Sequence, residues 1–168
     1  MLTKNYPFTK STTLTALFMV LSASFTRQLM EFATHWIGKY GFGVLIGFVL
    51  LGTATLFFIT EVKRLVKPIR ILLMLALLVS ASFFIWKITL PQVRMHILMY
   101  ALVGWLASRD AMKSGRRGKA IITAWFFAAS AGALEELFQK MLPYRVFDVA
   151  DMLYNIEGAT LGVALYSL

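Results

Sequence analysis

Residues 135–162 read EELFQKMLPYRVFDVADMLYNIEGATLG. This stretch decides the fold. It sets four carboxylates within seventeen positions, Glu135, Glu136, Asp148 and Asp151, with Gln139, Arg145 and Asn155 among them. On either side lie two apolar runs, residues 120–138 and 152–168. Polar groups at a membrane boundary are costly and concentrate where a protein uses them. A membrane protein built around this polar segment is the reading that accounts for both parts.

Working outward, four more apolar segments appear, at residues 11–26, 41–60, 71–90 and 96–108, the last with a start near Gln92. A spanning helix needs about 20 mostly apolar residues. The expected fold class is therefore all-α, a polytopic membrane helix bundle of about five to six spans. The whole chain, 1–168, reads as a single membrane domain. The first, fourth and sixth segments are short, and period alone does not separate a short span from an interfacial helix. Lys4 and Lys10 precede an apolar run ending Ser22-Ala23-Ser24, the pattern of a secretory signal. An uncleaved first span is the expectation in a chain so rich in spans.

Composition agrees. The chain is 59% hydrophobic and 15% charged, with a mean hydropathy of +0.72. A soluble domain carries about a quarter charged residues. The absence of cysteine excludes disulfides, thiolate metal sites and a Cys nucleophile. The net charge of +9 does not point to nucleic acid, because the basic residues fall in short clusters between apolar segments.

Those clusters orient the chain. Lys4, Lys10, Lys63, Arg64, Lys67, Arg70, Arg109, Lys113, Arg116, Arg117 and Lys119 fall in connections on one side. Arg27, Lys39, Lys87, Arg94, Lys140 and Arg145 fall on the other. The positive-inside rule puts the richer side, and with it the N-terminus, in the cytoplasm. The connection after Gln139 then faces outward, as does the start of the fourth span at His96. If the last three spans are neighbours, both polar regions share one outward pocket.

Residue by residue, two readings stay open at most positions. Glu135 and Gln139 are four apart and share a helix face. Glu136 points in a neighbouring direction and can reach Lys140. Acidic groups at a helix C-terminus oppose the macrodipole, so local physics disfavours them there. Either they are solvated at a helix end or they serve a network. Pro143 stops the helix. Arg145 follows with a planar fork of donors suited to phosphate or carboxylate. Its alternative is an internal pair with Asp148 or Glu135. Asp151 stands where an N-cap belongs. Asn155, Gly158 and Gly162 continue its stripe; the amide needs a partner, and the glycines permit close helix packing. His96 and Tyr100 are four apart near an interface. His35 carries no signal.

The C-terminal pattern resembles the VanZ-like family of bacterial membrane proteins. The features are an acidic residue and Gln ending one span, then Arg, Asp, Asp, Asn and Gly entering the next. Here they are Glu135 or Glu136, Gln139, Arg145, Asp148, Asp151, Asn155 and Gly158. His96 and Tyr100 in RMHILMYALVGWL match the His and Tyr that open an earlier span of the family. The similarity covers a core of about residues 92–162. The acidic residue and Lys that usually precede the His are replaced here by Val93, Arg94 and Met95.

The resemblance implies a multi-pass protein of the bacterial cytoplasmic (inner) membrane, acting in the cell envelope. It carries an association with glycopeptide (teicoplanin) tolerance through the founding member. The leading functional expectation is an outward polar pocket binding an anionic lipid or lipid-linked headgroup. Arg145, Gln139, Asp148, Asp151, Asn155 and Tyr100 would form it. Its partners would be membrane lipids, including a lipid-linked envelope precursor, with no nucleic acid. The alternative is an intramembrane enzyme, a hydrolase or transferase. Glu135 or Glu136 would be its general base and His96 a further catalytic candidate. EELFQK is similar to the glutamate-pair motif of CAAX-type intramembrane proteases, but the later histidines those need are missing. No cofactor is expected. One His with acids can take a hard cation, yet no ligand spacing argues for a metal.

Overall fold

The computed structural model describes residues 7–26, 28–38, 41, 68–69, 71–72, 75–76, 79 and 91–168. Most of the expected second span, 41–60, and of the third, 71–90, lies outside the described residues. By its contacts the chain divides into two units, residues 1–24 with 85–168, and residues 25–84. In the second unit residues 28–38 are helical, and Gly38 has φ 72°. The first unit holds the site. Its described residues form helices and connections with no strand.

Helix α1, Lys10–Ser22, begins at Thr9, whose hydroxyl accepts from the Thr12 amide at 3.4 Å. At 13 residues it is about 20 Å long. That is short of the roughly 30 Å hydrocarbon core, so the expected first span of 11–26 is corrected to a shorter helix. Local serines accompany its end: Ser22 Oγ donates to the Met19 carbonyl and Ser24 Oγ to the Leu21 carbonyl, each at 2.8 Å. Such bonds offer the backbone an alternative to further helix.

Helix α2, Pro91–Ala111, starts on a proline, whose missing amide hydrogen costs nothing at a first helical position. A short 3-10 turn, Met112–Ser114, follows it. Gly115 ends that turn at φ 75°, a left-handed conformation that glycine adopts without a Cβ penalty. Helix α3, Arg117–Lys140, is the one described helix long and apolar enough to cross a membrane. Helix α4, Val149–Ser167, is capped by Asp148, whose carboxylate accepts from the Ala150 amide at 2.8 Å. Asp151 is therefore not the N-cap. It lies three residues further on, in the first turn, because the helix begins earlier than the apolar run does.

Helices α2 and α4 run parallel with their backbones in contact. A Cβ on Gly158 would strike the Ile97 carbonyl, one on Gly162 the Ala101 carbonyl, and one on Gly104 would lie 2.5 Å from the Ala159 oxygen. Helix α3 runs antiparallel to α4. Asn155 Nδ2 reaches the Gly132 carbonyl at 3.2 Å, and Trp125 Nε1 donates to Thr160 Oγ1 at 2.9 Å. Helix α1 is tied at its start to Asp110 and near its end to Tyr144, whose hydroxyl donates to the Ser24 carbonyl at 3.0 Å.

The distribution of side chains is inverted relative to a protein in water. The buried apolar residues are mostly small, among them Ala107, Ala124, Ala128 and Ala159. Buried beside them are Thr12, Ser108, His96, Asp110, Glu135, Glu136, Gln139 and Asn155. Outward face Leu14, Leu17, Phe18, Ile122, Phe126, Leu134, Leu137 and Leu153, each more than half exposed. Water would make such a surface costly, and hydrocarbon makes it favourable.

Candidate functional site

Asn155 is the centre from which the site builds up. It is fully buried on α4, facing Gly132 of α3, where a Cβ would come within 2.6 Å of its own Cβ. The glycine leaves the space that the amide fills. Asn155 Nδ2 donates to the Gly132 carbonyl and to Glu135 Oε2, both at 3.2 Å. With both hydrogens committed, its Oδ1 meets His96 Nδ1 at 3.0 Å as an acceptor. The ring therefore carries a hydrogen on Nδ1.

The carboxylates lie around that ring. Glu135 Oε2 is 3.5 Å from His96 Nδ1, and Asp151 Oδ2 is 3.9 Å from Nε2. Gln139 Nε2 bridges the adjacent glutamates, donating to Glu136 Oε1 at 3.0 Å and to Glu135 Oε1 at 3.3 Å. The other Glu136 oxygen accepts from the Asp148 amide at 3.4 Å. Glu135, Glu136 and Gln139 are all 2% exposed or less. Two neighbouring carboxylates so deeply buried require positive charge or protons close by, since desolvation costs several kcal/mol per ion.

The structure thus brings together His96, Glu135, Glu136, Gln139, Asp151 and Asn155. It disposes of other expected residues differently. Glu136 turns inward and does not reach Lys140, whose ammonium lies 5.9 Å from the Phe147 ring. Tyr100 sits beneath the site, fully buried, donating its hydroxyl to the Ala131 carbonyl at 3.3 Å. Asp148 spends its side chain on capping α4 and contributes its backbone amide to the site. Arg145, in the connection between α3 and α4, makes no ion pair within 4.0 Å among the described residues. Its Nε is buried without a hydrogen-bond partner, and its charge bears on Asp151.

A second polar cluster, not anticipated from the sequence, lies at the opposite end of the unit. Asp110 Oδ2 accepts from Thr12 Oγ1 at 2.5 Å, Thr9 Oγ1 at 2.7 Å and the Thr9 amide at 2.9 Å. Its Oδ1 accepts from Lys113 Nζ at 3.0 Å. Burial works against the charged form. The bonds from Thr12, Thr9 and Lys113 outweigh it and hold the carboxyl well below the usual range. Asp110 lies beyond the apolar run 96–108, in the polar end of α2. The available signal was a lone acid inside a basic connection, opposite a Thr-x-x-Thr helix start. A cleft of about 740 Å³ beside it is bordered by Phe8, Thr9, Lys113, Arg116 and Lys119. It does not extend to His96. No protein-family model matches this chain, and no curated protein or solved structure matches it either.

Proposed function

We propose that this chain is a multi-pass protein of a bacterial cytoplasmic membrane that holds a phosphate-bearing lipid or lipid-linked headgroup at the His96–Asn155 site. The observation that carries the reading is the inverted distribution of side chains. Leucine, isoleucine and phenylalanine face outward from α1, α3 and α4, while an imidazole, carboxylates and amides lie buried among small apolar residues. Such a bundle presents a polar site to molecules that share its membrane.

Orientation follows from charge. One end of the first unit gathers Lys113, Arg116, Arg117 and Lys119, together with Ser167, whose carbonyl accepts from Arg117 Nη2. The other end carries the site. The basic end belongs in the cytoplasm and the site faces outward. Arg145, with no ion pair among the described residues, is the group best suited to a phosphate at that face. The resemblance to the VanZ-like family, in the spacing of His96, Tyr100, Glu135, Gln139, Arg145, Asp151 and Asn155, accords with this reading.

Native mass spectrometry of the purified protein with added phosphatidic acid or phosphatidylcholine tests the proposal. Wild type should retain phosphatidic acid in preference. Arg145→Ala should lower that retention by about tenfold, the worth of one charge-assisted contact. Equal retention of both lipids, or an unaffected Arg145→Ala protein, would remove headgroup binding from the account.

A further inference from the structure

A ring nitrogen of His96, a carboxylate oxygen of Glu136 and one of Asp151 all lie within 4.8 Å of one another. They come from three different helices. The geometry points to a divalent-cation site formed by these three groups, with Zn²⁺ and Mn²⁺ as the ions of matching chemistry. Two independent features support it beyond the clustering of acids.

The first is the direction of the imidazole lone pair. Asn155 Oδ1 takes the Nδ1 hydrogen, so in the neutral ring Nε2 is an acceptor. His96 is 8% exposed, and Nε2 aims at Asp151 from 3.9 Å, beyond hydrogen-bond length. Acceptor facing acceptor is repulsive unless a proton or a metal cation lies between them. Glu135 beside Nδ1 completes the arrangement common at metal-bound histidines, where an acceptor on the far nitrogen fixes the ring and raises its basicity.

The second is charge balance. Glu135, Glu136 and Asp151 put three carboxylates around one imidazole, and no Lys or Arg lies within ion-pair distance of them among the described residues. A divalent ion neutralises two of these charges at once. Three ligand atoms about 2.1 Å from a tetrahedral ion lie about 3.4 Å from one another. Separations of up to 4.8 Å must therefore close on binding, and Asp151, whose side chain is 24% exposed, is the member free to move. One nitrogen and two carboxylates suit a first-row ion better than Ca²⁺, which takes six to eight oxygens. Three protein ligands leave coordination positions for a phosphate oxygen. That role for the ion rests on the headgroup reading, whereas its binding does not. It would reconcile an anionic headgroup with an acidic site.

The experiment is titration of metal-free full-length protein in detergent with Mn²⁺, followed by electron paramagnetic resonance of the free ion, with Zn²⁺ as competitor. Wild type should bind one Mn²⁺ per chain, displaced by Zn²⁺. His96→Ala, Glu136→Gln and Asp151→Asn should each weaken binding at least tenfold. Glu157→Gln, exposed on α4 away from the site, should not. Circular dichroism checks each fold, and Asp151→Asn, at the surface, keeps the test decisive if a buried variant unfolds. Wild-type binding no tighter than that of Asp151→Asn would overturn the site. Phosphatidic acid retention is measured alongside, with and without Mn²⁺. Retention without Mn²⁺ binding sinks the cation site alone, and Mn²⁺ binding without retention sinks the headgroup reading alone.

Discussion

Asp110 shows how one buried side chain can fasten two helices. It stands among Arg109, Lys113, Arg116 and Arg117, yet its closest partners are Thr9 and Thr12 at the start of α1. Three donors from α1 and its cap converge on one carboxylate oxygen, so α1 is anchored to the end of α2 by charge-assisted bonds. Asp110→Asn should lower stability by about 2 kcal/mol at neutral pH. A carboxyl held low in the folded protein stabilises it above the unfolded value of about 3.9, and that stabilisation fades as pH falls through the lower folded value. Denaturant unfolding of both proteins should therefore show the gap present at pH 7 and shrinking below about pH 4. A gap independent of pH would mean that the carboxylate charge is not what holds α1. None of this was legible in the sequence, where Asp110 is one acid in a basic connection and its partners lie about a hundred positions away. The main site was far more legible. His96, Glu135, Gln139 and Asn155 are polar groups stranded in apolar runs, and burial without partners is too costly to be accidental. The inward turn of Glu136 was not legible, because helical spacing gives its direction but not that the Asp148 amide waits there.

At the scale of elements, the glycines of α4 determine how deep the site lies. Gly158 and Gly162 let α4 rest on the backbone of α2 at Ile97 and Ala101, and Gly132 admits Asn155 against α3. Their spacing was readable as a packing stripe from the sequence, though not which helix would fill it. The parallel pairing with α2 appears only in the structure. Gly162→Ala places a methyl group against the Ala101 carbonyl, and neither backbone can yield cheaply. Overpacking of this kind costs about 1–3 kcal/mol. Thermal unfolding in detergent should show that loss, and Gly118→Ala, where nothing lies within 4 Å, should show none. Equal stability of the two variants would mean that α2 and α4 are not in backbone contact. Element ends were the least legible part. The apolar run placed the start of α4 at 152, whereas the Asp148 cap starts it at Val149. The first span proved too short because it breaks after Ser22.

At the scale of the whole molecule, the claim is a membrane bundle with a basic cytoplasmic end and a carboxylate–imidazole site at the outer face. Hydropathy made an all-helical chain legible, since the long apolar runs leave no alternation for strands. It overstated individual spans, because only α3 among the described helices is both long and apolar enough to cross by itself. The most direct measurement is labelling of single cysteines, which this cysteine-free chain allows without a background. Tyr144→Cys, in the exposed connection beside the site, should react with a membrane-impermeant maleimide in intact cells. Ser114→Cys, in the turn after α2, should react only once the cells are opened. Labelling of both from the same side, or of Tyr144→Cys only from within, would contradict the account.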